Sequence, residues 1–339
     1  MSYSLLKYKS HVENGDTVIV YMTTLFIVQG KGRKVALQIK RGEIFNTNFG
    51  PFPHNHLIGQ KYGSKVFSKT KKGWIYMLFA TPELWTVTLP HRTQILYNAD
   101  ISMTLLQLNL RPGSIVVESG TGSGSMSHAI LRTIAPCGHL YTFEFHEMRA
   151  TMARDEFERH GLSDMVTVTH KNVLENGFGL SNVADAVFLD LPSPWDAIKF
   201  SKEALKTNGG HLCSFSPCIE QVQQTCIVLE ENGFRDIRTM ECLQRKYSVT
   251  SIKADVPNFG DRNAKEEDDM AEPPEKRSNC ELDDDEKKIQ NSTKESFIKR
   301  TKEEKVAMKN KIFTDITISR PVLPIPGHTG YLTFASWYS

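Results

Sequence analysis

Two patterns of apolar residues follow one another along the chain, and the change falls near residue 90. In residues 1–90, short runs of alternating apolar and polar residues are separated by Gly and Pro, which is typical of strands joined by turns. The pattern predicts strands at Thr17–Met22, Leu25–Val28, Val35–Ile39, Trp74–Phe79 and Leu84–Thr88. We therefore expect residues 1–90 to form a small β-rich domain, built as a barrel or a sandwich.

Beyond residue 90, short apolar runs alternate with segments of helical period. The predicted strands are Ile115–Val117, Leu140–Phe143, Val166–Val168, Ala186–Leu189 and His211–Phe215, and the predicted helices are Ile95–Leu108, Ser127–Ala135, Met148–His160 and Glu220–Asn232. Such alternation indicates an α/β fold with a mostly parallel sheet. Two late runs, Phe234–Leu243 and Gly330–Ala335, are expected to add an antiparallel edge. We assign this domain to residues 91–254 and 312–339.

Residues 255–311 differ in composition from both domains. They are crowded with Asp, Glu and Lys, and they hold few large apolar residues before Phe297. A segment of this kind buries too little apolar surface to offset the entropy lost on ordering. We expect a charged, disordered insertion here, in which residues 297–310 form at most a fraying helix.

Charge is distributed unevenly along the chain. The net charge is +2, but residues 261–290 contain 12 acidic and 6 basic residues, so the rest of the chain carries +8. A basic body fits a polyanionic partner such as nucleic acid, although solvated surface lysines explain the charge equally well. The basic run Lys31, Arg33, Lys34, Lys40 and Arg41 is the candidate for contact with a nucleic-acid backbone.

Composition also bears on compartment and on metal sites. No run of about 18 apolar residues is present, so no membrane helix is expected, and Met1–Ser10 lacks the apolar core of a signal peptide. The six cysteines show no C-x-x-C pairing, which argues against a zinc site and favours reduced thiols in the cytosol or nucleus. His54 and His56 lack an accompanying acid or cysteine, so we expect a surface loop there rather than a metal site.

A glycine-rich loop follows the first strand of the parallel sheet. Glycines at 120, 122 and 124, in Glu118–Ser125, permit a tight turn and close approach of a ligand to the backbone. The spacing is G-x-G-x-G, unlike the G-x-G-x-x-G of dinucleotide binding. Glu144 ends the next strand, where a carboxylate can accept both hydroxyls of a ribose. This acid suits S-adenosylmethionine and NAD alike, and Glu118 has either a structural contact or a contact with the cofactor's ammonium end.

A second acid ends the fourth strand, in the sequence Leu189-Asp-Leu-Pro-Ser-Pro-Trp195. Asp190 can accept from the exocyclic amine of a nucleobase, while Trp195 or a neighbour stacks on the ring. The alternative is structural: Asp190 caps the following helix and Trp195 belongs to the core. The loop alone does not separate the two interpretations.

Seven motifs in this order resemble the catalytic subunit of the eukaryotic tRNA (adenine-58-N1) methyltransferase. They are Thr81–Trp85, Leu89–Tyr97, Glu118–Ser125, Glu144–His146, Asp190–Trp195, Ser214–Gln221 and Gly327–Tyr331. The resemblance implies a Rossmann-like class I methyltransferase domain preceded by the small β domain. It also implies S-adenosylmethionine as cofactor, tRNA as substrate, a heterotetramer with non-catalytic tRNA-binding subunits, and a nuclear protein, with the cytoplasm as a second site.

The resemblance also implies site residues. It assigns the cofactor to Gln94, Ile95, Leu96, Tyr97, Asn98, Gly120, Thr121, Gly122, Ser123, Gly124, Ser125, Glu144, Arg149, Asn172, Val173 and Asp190, of which Asp190 is catalytic. It assigns the RNA to Met22, Thr23, Thr24, Ile44, Phe45, Asn46, Thr47, Asn48, Phe49, Gly50, Pro51, Gly73 and Trp74 in the first domain. In the second domain it assigns Asp190, Leu191, Pro192, Ser193, Ser214, Phe215, Ser216, Pro217, Cys218, Ile219, Glu220, Gln221 and Thr329 to the RNA.

The chain departs from the family at Asn172, where the family usually has Asp. An acceptor at this position binds the amino group of the cofactor's adenine, and an amide oxygen accepts without the help of a charge. Three alternative functions remain. An NAD-dependent oxidoreductase is disfavoured by the glycine spacing, and a non-catalytic RNA-binding subunit should lack the glycine loop and Asp190. The third alternative is a methyltransferase that acts on another substrate.

Overall fold

The computed structural model describes residues 6–22, 32–90, 93–255, 313–323 and 328–338. The chain divides into two units, one of residues 1–244 and 327–339 and one of residues 245–326. The predicted strand Leu25–Val28 lies outside the described residues, as does the predicted disordered segment 255–311 except for its first residue.

The described part of the first 90 residues forms short strands and two short helices. The elements are β1 (Thr17–Met22), β2 (Arg33–Gln38), β3 (Ile44–Thr47), β4 (Gly50–Pro53), α1 (His54–Leu57), β5 (Lys65–Phe67), β6 (Trp74–Phe79) and α2 (Pro82–Thr86). Four strands make an antiparallel sheet in the order β2-β1-β6-β5, and β3 and β4 make a separate hairpin. Mainly-β structure is therefore confirmed, but the described strands form an open sheet instead of a closed barrel.

Two local predictions in this region are wrong. Residues 84–88 were expected to be a strand, yet they belong largely to α2, because Pro82 suits the first turn of a helix and the Thr81 side chain accepts from the Leu84 amide at 3.3 Å. His54 was expected on a surface loop, yet it starts α1 and is buried, and its Nδ1 accepts from the Lys40 amide at 2.9 Å.

The remaining elements alternate between helix and strand as far as residue 241, and three further strands follow. They are α3 (Asn98–Gln107), β7 (Ile115–Ser119), α4 (Ser125–Ile134), β8 (His139–Glu144), α5 (Glu147–Arg159), β9 (Val166–His170), α6 (Val173–Asn176), β10 (Ala186–Leu189), α7 (Pro194–Ala204), β11 (Gly210–Ser216), α8 (Ile219–Glu231), β12 (Arg235–Glu241), β13 (Tyr247–Asp255), β14 (Phe313–Pro321) and β15 (Tyr331–Trp337). All five strands predicted in residues 115–215 are present, and α6 and α7 were not predicted.

A seven-stranded sheet organises this part of the molecule, in the order β12-β15-β11-β10-β7-β8-β9. The five strands from β11 to β9 are parallel, and β15 pairs antiparallel with both β11 and β12. The predicted mostly parallel sheet with an antiparallel edge is confirmed. Because the parallel strands share one direction, the carboxyl ends of β7, β8, β9 and β10 meet at one edge of the sheet, where open α/β sheets bind their ligands.

The second unit contains a two-stranded ribbon of β13 and β14. Nine residue pairs, from Tyr247 opposite Pro321 to Asp255 opposite Phe313, hold the strands antiparallel. Neither strand was predicted, because each has only scattered apolar residues among polar ones. Among all the described residues, none of the helices has the length and apolar character needed to cross a membrane.

Candidate active site

The glycine loop joins β7 to α4 and lies against two neighbouring strands. The Gly120 amide donates to the Phe143 carbonyl of β8 at 2.9 Å. Gly120 has φ +95°, and a Cβ at this position would overlap the backbone oxygen of Asp190. Two features therefore exclude a side chain at residue 120: the positive φ angle, and the close approach of the loop that follows β10.

Glu144 lies beside this loop at the end of β8 and is 4% exposed. Its Oε2 accepts from the Gly122 amide at 2.9 Å, and its Oε1 accepts from the His146 amide at 3.1 Å. Arg149 approaches Oε1 at 3.7 Å. Because a carboxylate offers about four lone-pair directions, two remain for further donors such as ribose hydroxyls.

Asp190 follows β10 directly, and its amide donates to the Ser119 carbonyl at 2.9 Å. Its side chain and that of Glu144 line the same cavity. Burial raises the pKa of Asp190 to about 7, and the negative charge of Glu144 adds to the shift. A carboxyl group that lines a cavity and has a pKa shifted to near 7 is a frequent mark of a functional site.

The structure separates alternatives that the sequence left open. Asp190 does not cap α7, whose cap position is Ser193, whereas Trp195 does pack against the core and does not line the cavity. Glu118 has the structural role, because Ser127 and Thr142 donate to its buried Oε2 at 2.6 and 2.7 Å. Burial raises the pKa of Glu118 to about 7.

These groups border a cavity of about 650 Å³, a size typical of small-molecule sites. Ten residues expected at the cofactor or catalytic site or at its RNA side meet here around Asp190: Gln94, Gly120, Gly122, Glu144, Arg149, Asn172, Val173, Leu191, Pro192 and Gln221. Phe215, Pro217 and Thr329 complete the expected RNA side. The two predicted sets of residues thus share one cavity.

Other expected residues lie near the cavity without lining it. Thr121, Ser123, Gly124, Ser125, Ile95 and Leu96 are buried under the loop or in the core, and Tyr97 and Asn98 start α3 on the exposed side. Ser214 and Ser216 are buried in β11, while Ser193, Cys218, Ile219 and Glu220 form the starts of α7 and α8. Thr23 and Thr24 lie outside the described residues, as do His91 and Arg92 of the Leu89–Tyr97 motif.

The RNA residues expected in the first domain are also brought together. Ile44–Pro51 form the β3–β4 hairpin, and a Cβ on Gly73 would come within 2.6 Å of the Phe49 side chain. Gly73 precedes Trp74, the first residue of β6. Met22 instead points into the core of this domain.

Seven cavity residues were not predicted: Thr93, Ser119, Phe143, Phe145, His146, Lys171 and Leu174. Most are sequence neighbours of predicted residues at the ends of β7, β8 and β9, so their position after a strand is the signal that could have found them. Thr93 has no such signal. Its amide donates to Ser123 Oγ at 3.1 Å, which ties the chain before α3 to the glycine loop.

His328 joins two segments on the side of the cavity where RNA is expected. Its Nδ1 bonds to a carboxylate oxygen of Glu241 and its Nε2 faces the Pro217 carbonyl at 3.3 Å. Both partners are oxygen acceptors, so the two contacts together favour the doubly protonated imidazole. The bonds to Glu241 and Pro217 raise the pKa of His328. Next to it, Thr329 donates to the buried Asp100 at 3.1 Å.

Two histidines support the glycine loop from below. His128 Nδ1 donates to the Gly124 carbonyl at 2.6 Å, so its Nε2 is left to accept from His160 Nδ1 at 2.9 Å. Burial lowers the pKa of His160 to about 2, with a contribution from His128, so the His160 ring is neutral. Glu156 lies close to both rings, and the side-chain atoms of the three residues that are able to bind a metal ion lie within 4.8 Å of one another.

Two solved structures share the fold. One is an S-adenosylmethionine-dependent O-methyltransferase from Thermotoga maritima, with a TM-score of 0.69 and 22% identity over 97% of this chain and 96% of that chain. The other is the tRNA (m1A58) methyltransferase TrmI from Aquifex aeolicus, with a TM-score of 0.62 and 18% identity over 96% of this chain and 98% of that chain. At these identities they bear on the fold alone, and they confirm the Rossmann-like methyltransferase architecture.

Similarity in sequence is closer. The chain is 41% identical over 333 residues to the tRNA (adenine(58)-N(1))-methyltransferase catalytic subunit of Dictyostelium discoideum, covering 96% of each chain. It is 38% identical over 344 residues to the subunit of the same name from Candida albicans, covering 98% of each chain. A family model described as tRNA methyltransferase complex GCD14 subunit matches residues 73–337. The resemblance seen in the motifs is confirmed, and the chain belongs to the GCD14 family of tRNA methyltransferase complex subunits.

Proposed function

We propose that this chain is the catalytic subunit that transfers a methyl group from S-adenosylmethionine to N1 of adenine 58 in the T-loop of tRNA. The single observation that carries the proposal is the position of Asp190. It lines the same cavity as Glu144 and the glycine loop, so one cavity offers a ribose acceptor and an amine acceptor side by side. The names of the relatives support the choice of substrate.

The cavity fits the donor by its chemistry. Glu144 has lone pairs left for two ribose hydroxyls, and the bare backbone at Gly120 and Gly122 lets a ligand approach. No side chain of the loop offers a phosphate-binding lysine, which fits a nucleoside without a phosphate. When bound, S-adenosylmethionine supplies a methyl group that is already electrophilic, since it is attached to a sulfonium.

The methyl acceptor, adenine N1, needs little chemical activation by the protein. Neutral adenine N1 carries a lone pair and no proton, so no general base is needed. Asp190 instead accepts from the N6 amine, fixes the ring, and stabilises the positive charge that grows on the base during transfer. Pro192 and Phe215 supply apolar walls beside it. Extruding the adenine from folded tRNA costs about a few kcal/mol, which RNA contacts elsewhere on the protein offset.

The test is methyl transfer to an unmodified tRNA transcript, with and without the candidate partner subunit, followed by mapping of the modified base. We expect labelled methyl at N1 of adenine 58 and none in a transcript with guanosine at that position. Transfer to another base or atom would overturn the assignment. Consumption of NAD in place of methyl transfer would favour the oxidoreductase.

Asn172 provides a prediction about donor affinity. Its Oδ1 accepts from the Leu174 amide at 3.2 Å, and its Nδ2 donates to Glu175 at 2.7 Å. Asn172→Asp alone would place two carboxylates together, so the gain from a charged acceptor should appear only when Glu175 is made neutral. We expect Asn172→Asp with Glu175→Gln to tighten S-adenosylmethionine binding about fivefold in calorimetry. Equal affinity of the double variant and of Glu175→Gln alone would contradict the role of residue 172.

We also propose that the β13–β14 ribbon binds the non-catalytic partner in a heterotetramer of two catalytic and two non-catalytic subunits. A two-stranded ribbon is marginally stable alone, and its free edges can pair with another chain. Ile252 and Ile316 are paired across one face and are 41% and 44% exposed. Such side chains are suited to burial in an interface.

Changing both isoleucines to Lys should abolish association with the partner, as measured by light scattering on the mixed subunits. Ser251→Lys with Ser319→Lys adds the same charge to the other face and serves as the matched control. Association that survives in the isoleucine variant would contradict the proposed interface, and retained donor binding would show that the first unit is intact.

We place the protein in the nucleus or cytoplasm. Cys137, Cys213, Cys218, Cys226 and Cys242 are free thiols, as expected in a reducing compartment. Imaging of the tagged full chain would test this proposal, and a secreted protein would overturn it.

A further inference from the structure

One face of the four-stranded sheet is divided into two halves. At one end, Ile19 and its cross-strand neighbours Ala36 and Leu78 pack against Leu84 of α2. Helix α2 packs in turn on α4, where Thr86 Oγ1 lies 2.9 Å from Ser125 Oγ at the end of the glycine loop. The covered half of this face is therefore linked through α2 to helix α4 of the methyltransferase domain.

The other half carries aromatic and basic side chains, of which Lys34, Lys65 and Phe67 are exposed and Tyr21, Trp74 and Tyr76 are half-buried among the described residues. Register places Lys34, Tyr21, Tyr76 and Lys65 in one row across the four strands, and Phe67 and Trp74 in the adjacent row. We call these six residues the aromatic stripe. Their strand neighbours Val18, Val20, Ile75 and Met77 point to the opposite face and form the core of the domain.

The rings of the stripe are spaced for stacking. Tyr21 and Tyr76 have centroids 6.4 Å apart and planes inclined by 22°, and Trp74 meets Tyr76 edge-on at 5.1 Å. Lys65 Nζ lies 4.1 Å from the Trp74 ring centroid and 5.2 Å from that of Phe67. Phe67 is 57% exposed, although Val66 and Ile75 on the opposite face of the sheet are buried. Flat rings interleaved with ammonium groups are the composition that binds unpaired nucleotides.

Charge argues for a polyanion over an apolar protein partner. The four strands contain Arg33, Lys34 and Lys65 and no Asp or Glu. The β5–β6 turn adds Lys69, Lys71 and Lys72. Among the described residues, neither Lys34 nor Lys65 has a carboxylate partner, so both ammonium groups are available to phosphates.

We propose that the aromatic stripe stacks unpaired nucleotides of the RNA whose adenine enters the cavity. Trp74 alone in this set was assigned to RNA by resemblance, and Lys34 belongs to the basic run expected to contact a nucleic-acid backbone; Tyr21, Lys65, Phe67 and Tyr76 are new. The proposal rests on the proposed function only in taking RNA as the substrate. The stripe holds bases beside the target, so the energy of stacking offsets the cost of extruding the adenine.

Binding is tested on the full chain with a single-stranded RNA of about eight nucleotides and with the same sequence as a duplex. The single strand should quench the fluorescence of Trp74, a signal that is lost in Trp74→Phe, and the duplex should not. Lys34→Gln with Lys65→Gln should reduce the slope of log affinity against log salt by about 1.4, at about 0.7 per phosphate contact. Phe67→Ser should weaken single-strand binding about tenfold.

Lys199→Gln is the matched control, since Lys199 also lies over an aromatic ring, that of Phe200 at 5.0 Å, but on α7. It should leave affinity and salt dependence unchanged. Wild-type affinity and wild-type salt slope in the Lys34, Lys65 and Phe67 variants would overturn the proposal. The proposal would also be overturned if these variants bound RNA normally but no longer associated with the partner subunit. Because fluorescence needs no methyl transfer, a negative result here is distinct from failure of the proposed reaction.

Discussion

Replacing Asp190 with Asn should lower the rate of methyl transfer about 100- to 1,000-fold, the range seen when one group that stabilises transition-state charge is removed. The amide oxygen can still accept from the N6 amine, but it carries no charge to balance the cation that forms on adenine. Asp190→Ala removes both contributions and should abolish transfer. Single-turnover transfer from bound S-adenosylmethionine to tRNA is the measurement.

The loss must be separated from unfolding and from loss of the donor. A carboxyl group whose folded pKa is raised makes the folded state bind the extra proton, so its contribution to stability falls as pH rises from about 4 to about 7. Asp190→Asn removes this penalty, so its melting temperature at pH 8 should be no lower than that of the parent chain. Donor affinity should change little, because Glu144 and the glycine loop are intact.

The same pKa sets a pH profile. Below about pH 7 Asp190 becomes protonated, loses its charge and turns one oxygen into a donor, so transfer should fall about tenfold per pH unit in the acid range. Above pH 7 the rate should be level. Asp190→Asn should be slow at every pH and lack this limb. A near-normal rate in the variant, or an acid limb that persists in it, would remove Asp190 from its assigned role.

Prediction from sequence succeeded where one physical pattern dominated. Ala186–Leu189 is a run of four buried apolar residues, and the predicted strand has the observed bounds. Position at a strand's carboxyl end then located Asp190 and Glu144 without any contact information. Pro194 stands in the first turn of α7, a position that its residue type does not reveal, because proline suits loops and first helical turns alike.

The rest depended on tertiary contacts that local patterns do not contain. Trp195 could stack on a base or fill the core, and only packing against the core cluster decided between them. The ribbon of β13 and β14 joins strands separated by the whole charged segment, so no turn signal marked it. The aromatic stripe likewise needs cross-strand register, since Tyr21 and Tyr76 lie 55 residues apart and become neighbours only in the sheet.

Gly120→Ala should remove donor binding, with a loss of affinity of at least about 100-fold in calorimetry. Alanine at φ +95° costs about 1–3 kcal/mol, and here its methyl group would also overlap the Asp190 carbonyl oxygen. Backbone cannot rotate away as a side chain can. The glycine loop or the loop after β10 must move, which displaces the surface that faces the donor together with the Asp190 carboxylate.

Gly124→Ala is the matched control because it shares the strain without the overlap. Its φ is +74°, and a Cβ would meet only the side chains of Glu156 and His128, each at 3.5 Å, which is ordinary contact. We expect this variant to lose about 1–2 kcal/mol of unfolding free energy and to bind the donor within a few-fold of the parent chain. Comparable donor affinity in the two variants would mean that backbone contact between Gly120 and Asp190 does not shape the site, and that the cavity tolerates separate movement of its donor and acceptor loops.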